Sequence, residues 1–400
     1  MSLQGKKILI GLTGGIACYK VVSLIRLLRR ERADTRVVMT RAAGRFVTPL
    51  TLETISGNPV AVEMFPDNQY VGPQHIDLAE WADLMVVAPA TANFLGKAAA
   101  GIADDLLTAI ILAGPSTVLV APAMNPRMWG NRITQRNCAT LQKHGFFFVG
   151  PGEGEMACEQ SGVGRMAEPQ QIFDGIDGLL GGVAGERFLA GKKILVTAGP
   201  TRERLDPVRY LSNFSSGRMG FALAQAAVLL GAETTLIAGP SSLQPPAGVG
   251  YIGIESAAQL RTAVKRAFKQ ADCLLMAAVP ADFAPTKVAP QKRKKSNWDG
   301  RLSMRPTVDI LQEVASGRQS SQVVVGFALE TENALANARR KLKDKQLDLL
   351  VLNRPGKVTG FESPTNRVTV LIPGKSPDAW PLMSKNRIAV KLLEKIAPML

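Results

Sequence analysis

Two stretches of this sequence begin alike. "GKKILIGLTGG" starts at Gly5 and "GKKILVTAGPT" starts at Gly191. Each is a basic pair, a short β-branched run and a turn of small residues. Each leads into a helical pattern, "YKVVSLIRLLRR" in the first case and "GFALAQAAVLLGA" in the second. Strand, glycine turn and helix form the opening unit of a doubly wound sheet, so two openings predict two such domains. Further apolar runs extend the pattern. They are Val37–Met39, Leu84–Ala88, Val118–Ala121 and Phe146–Val149, then Thr234–Ile237, Cys273–Val279, Val323–Phe327 and Leu347–Leu352. These runs are continuous rather than alternating, as parallel strands buried on both faces require.

The expected fold class is therefore α/β, with two three-layer Rossmann-like domains at residues 1–187 and 188–400 and a join near the glycine-broken stretch Gly181–Gly191. A chain of 400 residues with 46% hydrophobic and 20% charged residues has enough apolar material for two full cores. No apolar run reaches the roughly 20 residues of a membrane helix. The opening "MSLQGKKILIGL" lacks the layout of a signal peptide, and the cytoplasm is the expected location. Cys18, Cys138, Cys158 and Cys273 contain no close pair, which argues against a zinc site or a disulfide framework. A formal net charge of +15 is compatible with nucleic acid, an acidic membrane surface or several phosphorylated small molecules. The basic residues are scattered apart from Lys292–Lys295, and no helix-turn-helix or RNA-binding aromatic signature accompanies them. Small anions are the favoured partners, without nucleic acid or membrane.

Ligands of an open parallel sheet bind beyond the carboxyl ends of its strands. Three segments of the first half fall there: "LTGGIA", "APATANF" and "APAMNPRMW". The first is not a GxGxxG fingerprint, and Thr40 stands where a dinucleotide enzyme would carry an acid. A glycine turn at Gly14, Gly15 and Ile16 with a hydroxyl at Thr40 suits a terminal phosphate, and hence a mononucleotide such as FMN. Asn125 is presented between prolines in an apolar wall of Met124, Met128 and Trp129, as ligand contacts often are. The segment Gly152–Pro169 is rich in glycine, carries Cys158 and has the composition of a lid. His75 is one of two histidines; taken alone, it reads as a surface residue opening a helix, and His144, in "QKHGFFF", has no motif and reads as a surface residue too.

In order, "HIDLAEWADL", "PATAN", "PAMNPRMW" and "ACEQSGVGRM" resemble the flavoprotein decarboxylase half of the phosphopantothenoylcysteine decarboxylase/phosphopantothenate–cysteine ligase family of coenzyme A biosynthesis. The resemblance implies that His75 is the catalytic histidine over the flavin. It implies that Ala90, Thr91, Asn93 and Met124 line the cofactor, and that Asn125 holds the carboxylate or the neighbouring amide. The family chemistry oxidises the cysteine thiol side to a thioaldehyde, which accepts the electrons left as carbon dioxide departs. Cys158 then protonates the enethiolate while the reduced flavin returns its electrons.

The second half carries "TAGPTRERLDPVRYLSNFSSGRMG", with turns before a helix opened by Ser215, Ser216 and Gly217. "MAAVPADF" leaves a strand and presents Asp282. Lys341 and Lys345 share one helix face at i, i+4, where spacing alone favours a solvated basic face over a triphosphate grip. The order of these segments resembles the ligase half of the same family. Its implications are CTP as co-substrate, Mg2+ held mainly by the CTP phosphates, and an acyl-cytidylate of 4'-phosphopantothenate attacked by cysteine. Lys292 in "KRKK" then matches the catalytic lysine, and Arg209 and Asn213 match positions on the pantothenate side. Met276, Ala277, Ala278, Asp282, Asp309, Ile310, Phe327, Lys341 and Lys345 match the nucleotide site. The family's trimers and dimers combine into a dodecamer, so a homo-oligomer is expected. The competing reading is an unrelated flavin oxidoreductase fused to a nucleotide-binding module.

Overall fold

A computed structural model describes residues 3–65, 72–155, 161–180, 187–294, 301–330, 332–353 and 363–400. The chain divides into two compact units, Met1–Phe188 with Pro246–Gly248, and Leu189–Pro245 with Val249–Leu400.

In the first unit, β1 (Lys7–Leu12), β2 (Asp34–Met39), β3 (Val60–Ala61), β4 (Leu84–Ala90), β5 (Val118–Pro122) and β6 (Phe147–Phe148) form one sheet. Their order is β3-β2-β1-β4-β5-β6 and every pairing is parallel. This is the doubly wound order, with its reversal between β1 and β4, where ligand crevices open. Helices α1 (Cys18–Arg30), α2 (Pro49–Ser56), α3 (Gln74–Trp81), α4 (Ala92–Ala100), α5 (Leu106–Ala113), α6 (Pro126–Trp129), α7 (Arg132–Lys143) and α8 (Pro169–Leu179) complete the unit. The sequence marks several of their ends: Thr48 and Pro49 open α2, Asp105 and Thr108 form a capping box on α5, and Gly57 closes α2 in the left-handed region. All seven residues of β4 are buried, which explains its unbroken apolar run.

Helix α4 starts at Ala92, directly after β4, with the Thr91 side chain accepting from Phe94 N. The glycine-rich segment supplies an antiparallel pair, β7 (Gly152–Glu155) and β8 (Ser161–Arg165).

The second unit contains β9 (Lys193–Ala198), β10 (Arg202–Arg204), β11 (Tyr210–Ser212), β12 (Glu233–Ala238), β13 (Gly250–Gly253), β14 (Cys273–Met276), β15 (Phe283–Pro285), β16 (Met304–Pro306), β17 (Val323–Leu329), β18 (Leu349–Asn353), β19 (Thr365–Asn366), β20 (Val368–Leu371), β21 (Asp378–Ala379) and β22 (Met383–Ser384). The main sheet runs β13-β12-β9-β14-β17-β18-β20-β21. It is parallel as far as β18, and then β20 and β21 extend it antiparallel. Its helices are α9 (Arg218–Leu229), α10 (Ala257–Phe268), α11 (Ile310–Ser316), α12 (Ala334–Asp344) and α13 (Lys385–Ile396). The apolar run from Cys273 does not stay in the sheet to Val279. It leaves after Met276, where Ala277 N turns back to Leu275 O and Ala278 N takes the Thr197 hydroxyl as acceptor. Burying a single Leu, Ile or Val contributes about 1.5–3 kcal/mol, and each unit has its own cluster of such residues between sheet and helices.

Candidate functional site

In the first unit, Thr13 ties two loops together. Its hydroxyl donates to Pro89 O at 2.6 Å and accepts from Thr91 N at 3.0 Å. The turn after β1 is thereby fixed to the turn after β4. Ala123 N bonds to Ala90 O and Met124 N to Gly164 O, which brings in the segment after β5 and strand β8. Asn125 caps α6 by accepting from Arg127 N at 2.9 Å, and this fixes the amide's direction.

These segments surround a cavity of about 1430 Å³. Gly14, Gly15, Ile16, Thr40, Thr91, Asn93, Met124 and Asn125 all line it. Ala90 does not; it is fully buried in β4 and contributes its carbonyl to the loop scaffold. The two glycines have different reasons. A Cβ on Gly14 would lie 2.5 Å from Ala42 Cβ, so packing demands glycine, whereas at Gly15 the nearest atom would be 3.6 Å away. Apolar Ile16 and Met128 stand exposed on the wall beside hydroxyls and amides, while its cations Arg41 and Lys97 pair with Glu63 and Asp104 of the same wall. An anionic group carrying a flat ring, as FMN does, fits that donor set. Lys20 is buried and held 2.8 Å from Glu168, which also pairs with Arg165 at 2.9 Å.

His75 is not on this wall. It is the second residue of α3, half-buried. Because α3 runs back between the parallel strands β3 and β4, its start lies at the ligand end of the sheet. The helix packs on α5, whose Leu106 does line the cavity. Cys158 lies outside the described residues.

The second unit holds a cavity of about 700 Å³. Asn213, Met276, Ala277, Ala278, Asp282, Asp309, Ile310, Phe327, Lys341 and Lys345 all line it. The exit of β14 from the sheet at Met276 is what opens the wall at Ala277 and Ala278. Asn213 is steered by its amide, which donates to Pro280 O at 2.9 Å. Lys345, which ends α12, pairs with Asp309 at 2.7 Å. Burial opposes the charge on Asp309, but the Lys345 ammonium and Gln312 N outweigh it and hold the carboxyl below its usual range. Lys341 Nζ lies 2.6 Å from Glu330 Oε1, although that buried oxygen has no partner in hydrogen-bond geometry.

Arg209 and Lys292 do not line the cavity. Arg209 forms a two-pronged pair with buried Asp206, at 3.0 and 2.6 Å, and donates to Arg293 O at 2.6 Å. Asp206 also accepts from Val208 N, Arg209 N and Arg293 N. Burial works against its ionisation, yet these donors prevail and hold it well below the usual carboxylate range. Arg209 therefore anchors the backbone next to Lys292, a role its place in the sequence did not reveal. Lys292 itself is exposed, and Lys295 lies outside the described residues. The wall also includes Ser215 and Gly217 from the helix opening, and Arg218, Asn353, Asn366 and Lys385, which the sequence did not single out.

Two protein-family models match the chain. "Flavoprotein" covers residues 1–181, and "DNA/pantothenate metabolism flavoprotein C-terminal domain" covers residues 189–399. The coenzyme A biosynthesis bifunctional protein of Vibrio vulnificus is 43% identical over 398 residues, 99% of this chain and 98% of its own. The chain belongs to the family of bifunctional coenzyme A biosynthesis proteins. A second member, from Bacillus subtilis, is 41% identical over 404 residues, 99% of this chain and 97% of its own. A cysteine/cysteine sulfinic acid decarboxylase from an unknown prokaryotic organism is also similar, at 42% over 355 residues, 88% of this chain and 98% of its own.

Proposed function

We propose that residues 188–400 join cysteine to 4'-phosphopantothenate with CTP, through an acyl-cytidylate, and that residues 1–187 decarboxylate the resulting 4'-phosphopantothenoylcysteine to 4'-phosphopantetheine with FMN. The observation that supports this reading is that eight of the residues expected from sequence line one cavity and ten line the other.

FMN supplies a reversible two-electron acceptor when bound. Gly15 and Thr40 would face its phosphate, and Met124 with Thr91 and Asn93 at the start of α4 would hold its ring. Asn125 orients the substrate carboxylate, His75 assists carbon dioxide release, and Cys158 delivers the closing proton. In the ligase half, Lys341 and Lys345 hold nucleotide charge, with Asp309 and Glu330 fixing their ammonium groups. Lys292 neutralises charge as pyrophosphate leaves, on a loop anchored through Arg209. Mg2+ arrives with the CTP phosphates; among the described residues no three metal-ligating side chains cluster. The working form is a cytoplasmic homo-oligomer. Among the described residues no helix is long and apolar enough to cross a membrane.

The test is direct. Purified protein should be yellow, should release pyrophosphate from CTP and 4'-phosphopantothenate in a single turnover and continuously only when cysteine is added, and should release carbon dioxide without an external reductant. The cysteine-decarboxylating relative offers a second substrate for the first half. Faster carbon dioxide release from free cysteine than from 4'-phosphopantothenoylcysteine would favour that substrate.

A further inference from the structure

Two threonines stand behind one wall of the 700 Å³ cavity. Thr197, in β9, and Thr201, just after it, are fully buried and do not line the cavity themselves. The wall in front of them is the irregular stretch that follows β14, where Met276, Ala277, Ala278, Val279, Pro280 and Asp282 all line the cavity. From Ala278 to Ala281 its backbone N–H groups turn toward the end of β9. Ala278 N donates to the Thr197 hydroxyl at 3.1 Å, Val279 N to Gly199 O at 2.9 Å and Ala281 N to the Thr201 hydroxyl at 3.0 Å. Pro280 has no N–H to place. The Thr197 hydroxyl donates its own hydrogen to Met276 Sδ, 3.3 Å away, which leaves a lone pair for Ala278 N.

In a trans peptide the C=O points opposite to the N–H. The carbonyls of Ala277, Ala278 and Pro280 are therefore directed away from β9, toward the side on which these residues line the cavity. Pro280 O shows this direction, since it accepts from Asn213 Nδ2 at 2.9 Å and Asn213 is itself on the wall. The cavity meets a row of backbone acceptors, and the orientation of that row rests on two hydroxyls that no ligand reaches.

We propose that Thr197 and Thr201 are positioning residues that set which nucleobase the second unit accepts. The inference rests on the ligase reading above. A row of acceptors pairs with an N–H donor on the base edge and repels a carbonyl there. Cytosine presents an exocyclic amine; uracil presents an oxygen at the same place. A site built to bond an N–H rejects the analogue that lacks it, provided its acceptors are held in place. Without the hydroxyl behind it, the peptide plane turns to find another partner for its N–H, and selectivity falls with the lost alignment.

Steady-state pyrophosphate release by the full-length protein tests it, with CTP against UTP at saturating 4'-phosphopantothenate and cysteine. Thr197→Val and Thr201→Val keep the shape and delete the hydroxyl. Each should lower the CTP-to-UTP ratio of kcat/KM by on the order of tenfold, and leave the KM for 4'-phosphopantothenate within about twofold. Thr197→Ser should restore the ratio, because it returns the acceptor. If Thr197→Val does not fold, Thr201→Val decides. An unchanged ratio in the folded Val variants overturns the proposal, even where their stability falls. Amide exchange of the ligand-free wild type is a second check that needs no variant: Ala278 and Ala281 should exchange slowly, and rapid exchange at both overturns it as well. A wild type that uses CTP and UTP alike overturns this inference alone, whereas one that releases no pyrophosphate from either overturns the ligase reading.

Discussion

Replacing Thr13 by Val should loosen the first site without touching a ligand. Thr13 is buried, at 2% exposure, and its hydroxyl bridges Pro89 O and Thr91 N. Valine keeps the shape and deletes both bonds. Pro89 O retains Thr13 N as a donor at 3.3 Å, whereas Thr91 N loses its acceptor. A lost hydrogen bond costs about 1 kcal/mol and an unsatisfied, partly buried amide another 1–2, which together make roughly 2–3 kcal/mol. In a unit of this size that lowers the midpoint by about 4–12 °C. Thr13→Ser keeps the hydroxyl and loses one methyl, worth about 0.8 kcal/mol. Flavin fluorescence released on heating reports the first unit separately from the second, and calorimetry gives the enthalpy. FMN affinity should fall with the Val variant as well, because the turns after β1 and β4 lose their register. A Val variant no less stable than the Ser variant would refute the view that this hydroxyl locks the loops.

Gly239→Ala should abolish the second unit's fold, since the new Cβ would sit 1.7 Å from Pro200 O, a backbone atom that cannot move aside; soluble yield and CTP turnover read the loss. Glu313, gripped by Arg261 and Lys265, is lowered from 4.5 to about 2, so its stabilisation is complete above pH 4.5 and is lost as pH falls from 4.5 toward 2; Glu313→Gln should flatten that limb of the acid-unfolding curve. Lys292→Gln should retain CTP binding and lose ligase turnover by on the order of a hundredfold. Lys341→Ala should mainly raise the CTP requirement, and both variants should release carbon dioxide from supplied 4'-phosphopantothenoylcysteine at the normal rate.

Sequence pattern located the two cavities because both lie where parallel strands end, and repeated strand–glycine–helix openings mark such ends. It located less well whatever depends on side chains meeting across the fold. Thr13 looked like one more small residue in a glycine turn, yet its partners are 76 and 78 positions away. The pair that Arg209 makes with buried Asp206, and its bond to Arg293 O, were equally invisible, since Arg293 lies 84 positions away. The antiparallel extension by Val368–Leu371 was missed as well: its apolar run is short, and nothing local tells a parallel strand from an antiparallel one. Lys385 shows the limit most clearly. At the start of "KNRIAVKLLEKI" it resembles any solvated helix lysine, and only the packing of α13 on α9 brings it to the wall beside Arg218. A site whose ligands are anions is therefore only half visible in motifs. Charges that act in pairs reach each other through the tertiary fold, and spacing along the chain carries no trace of them.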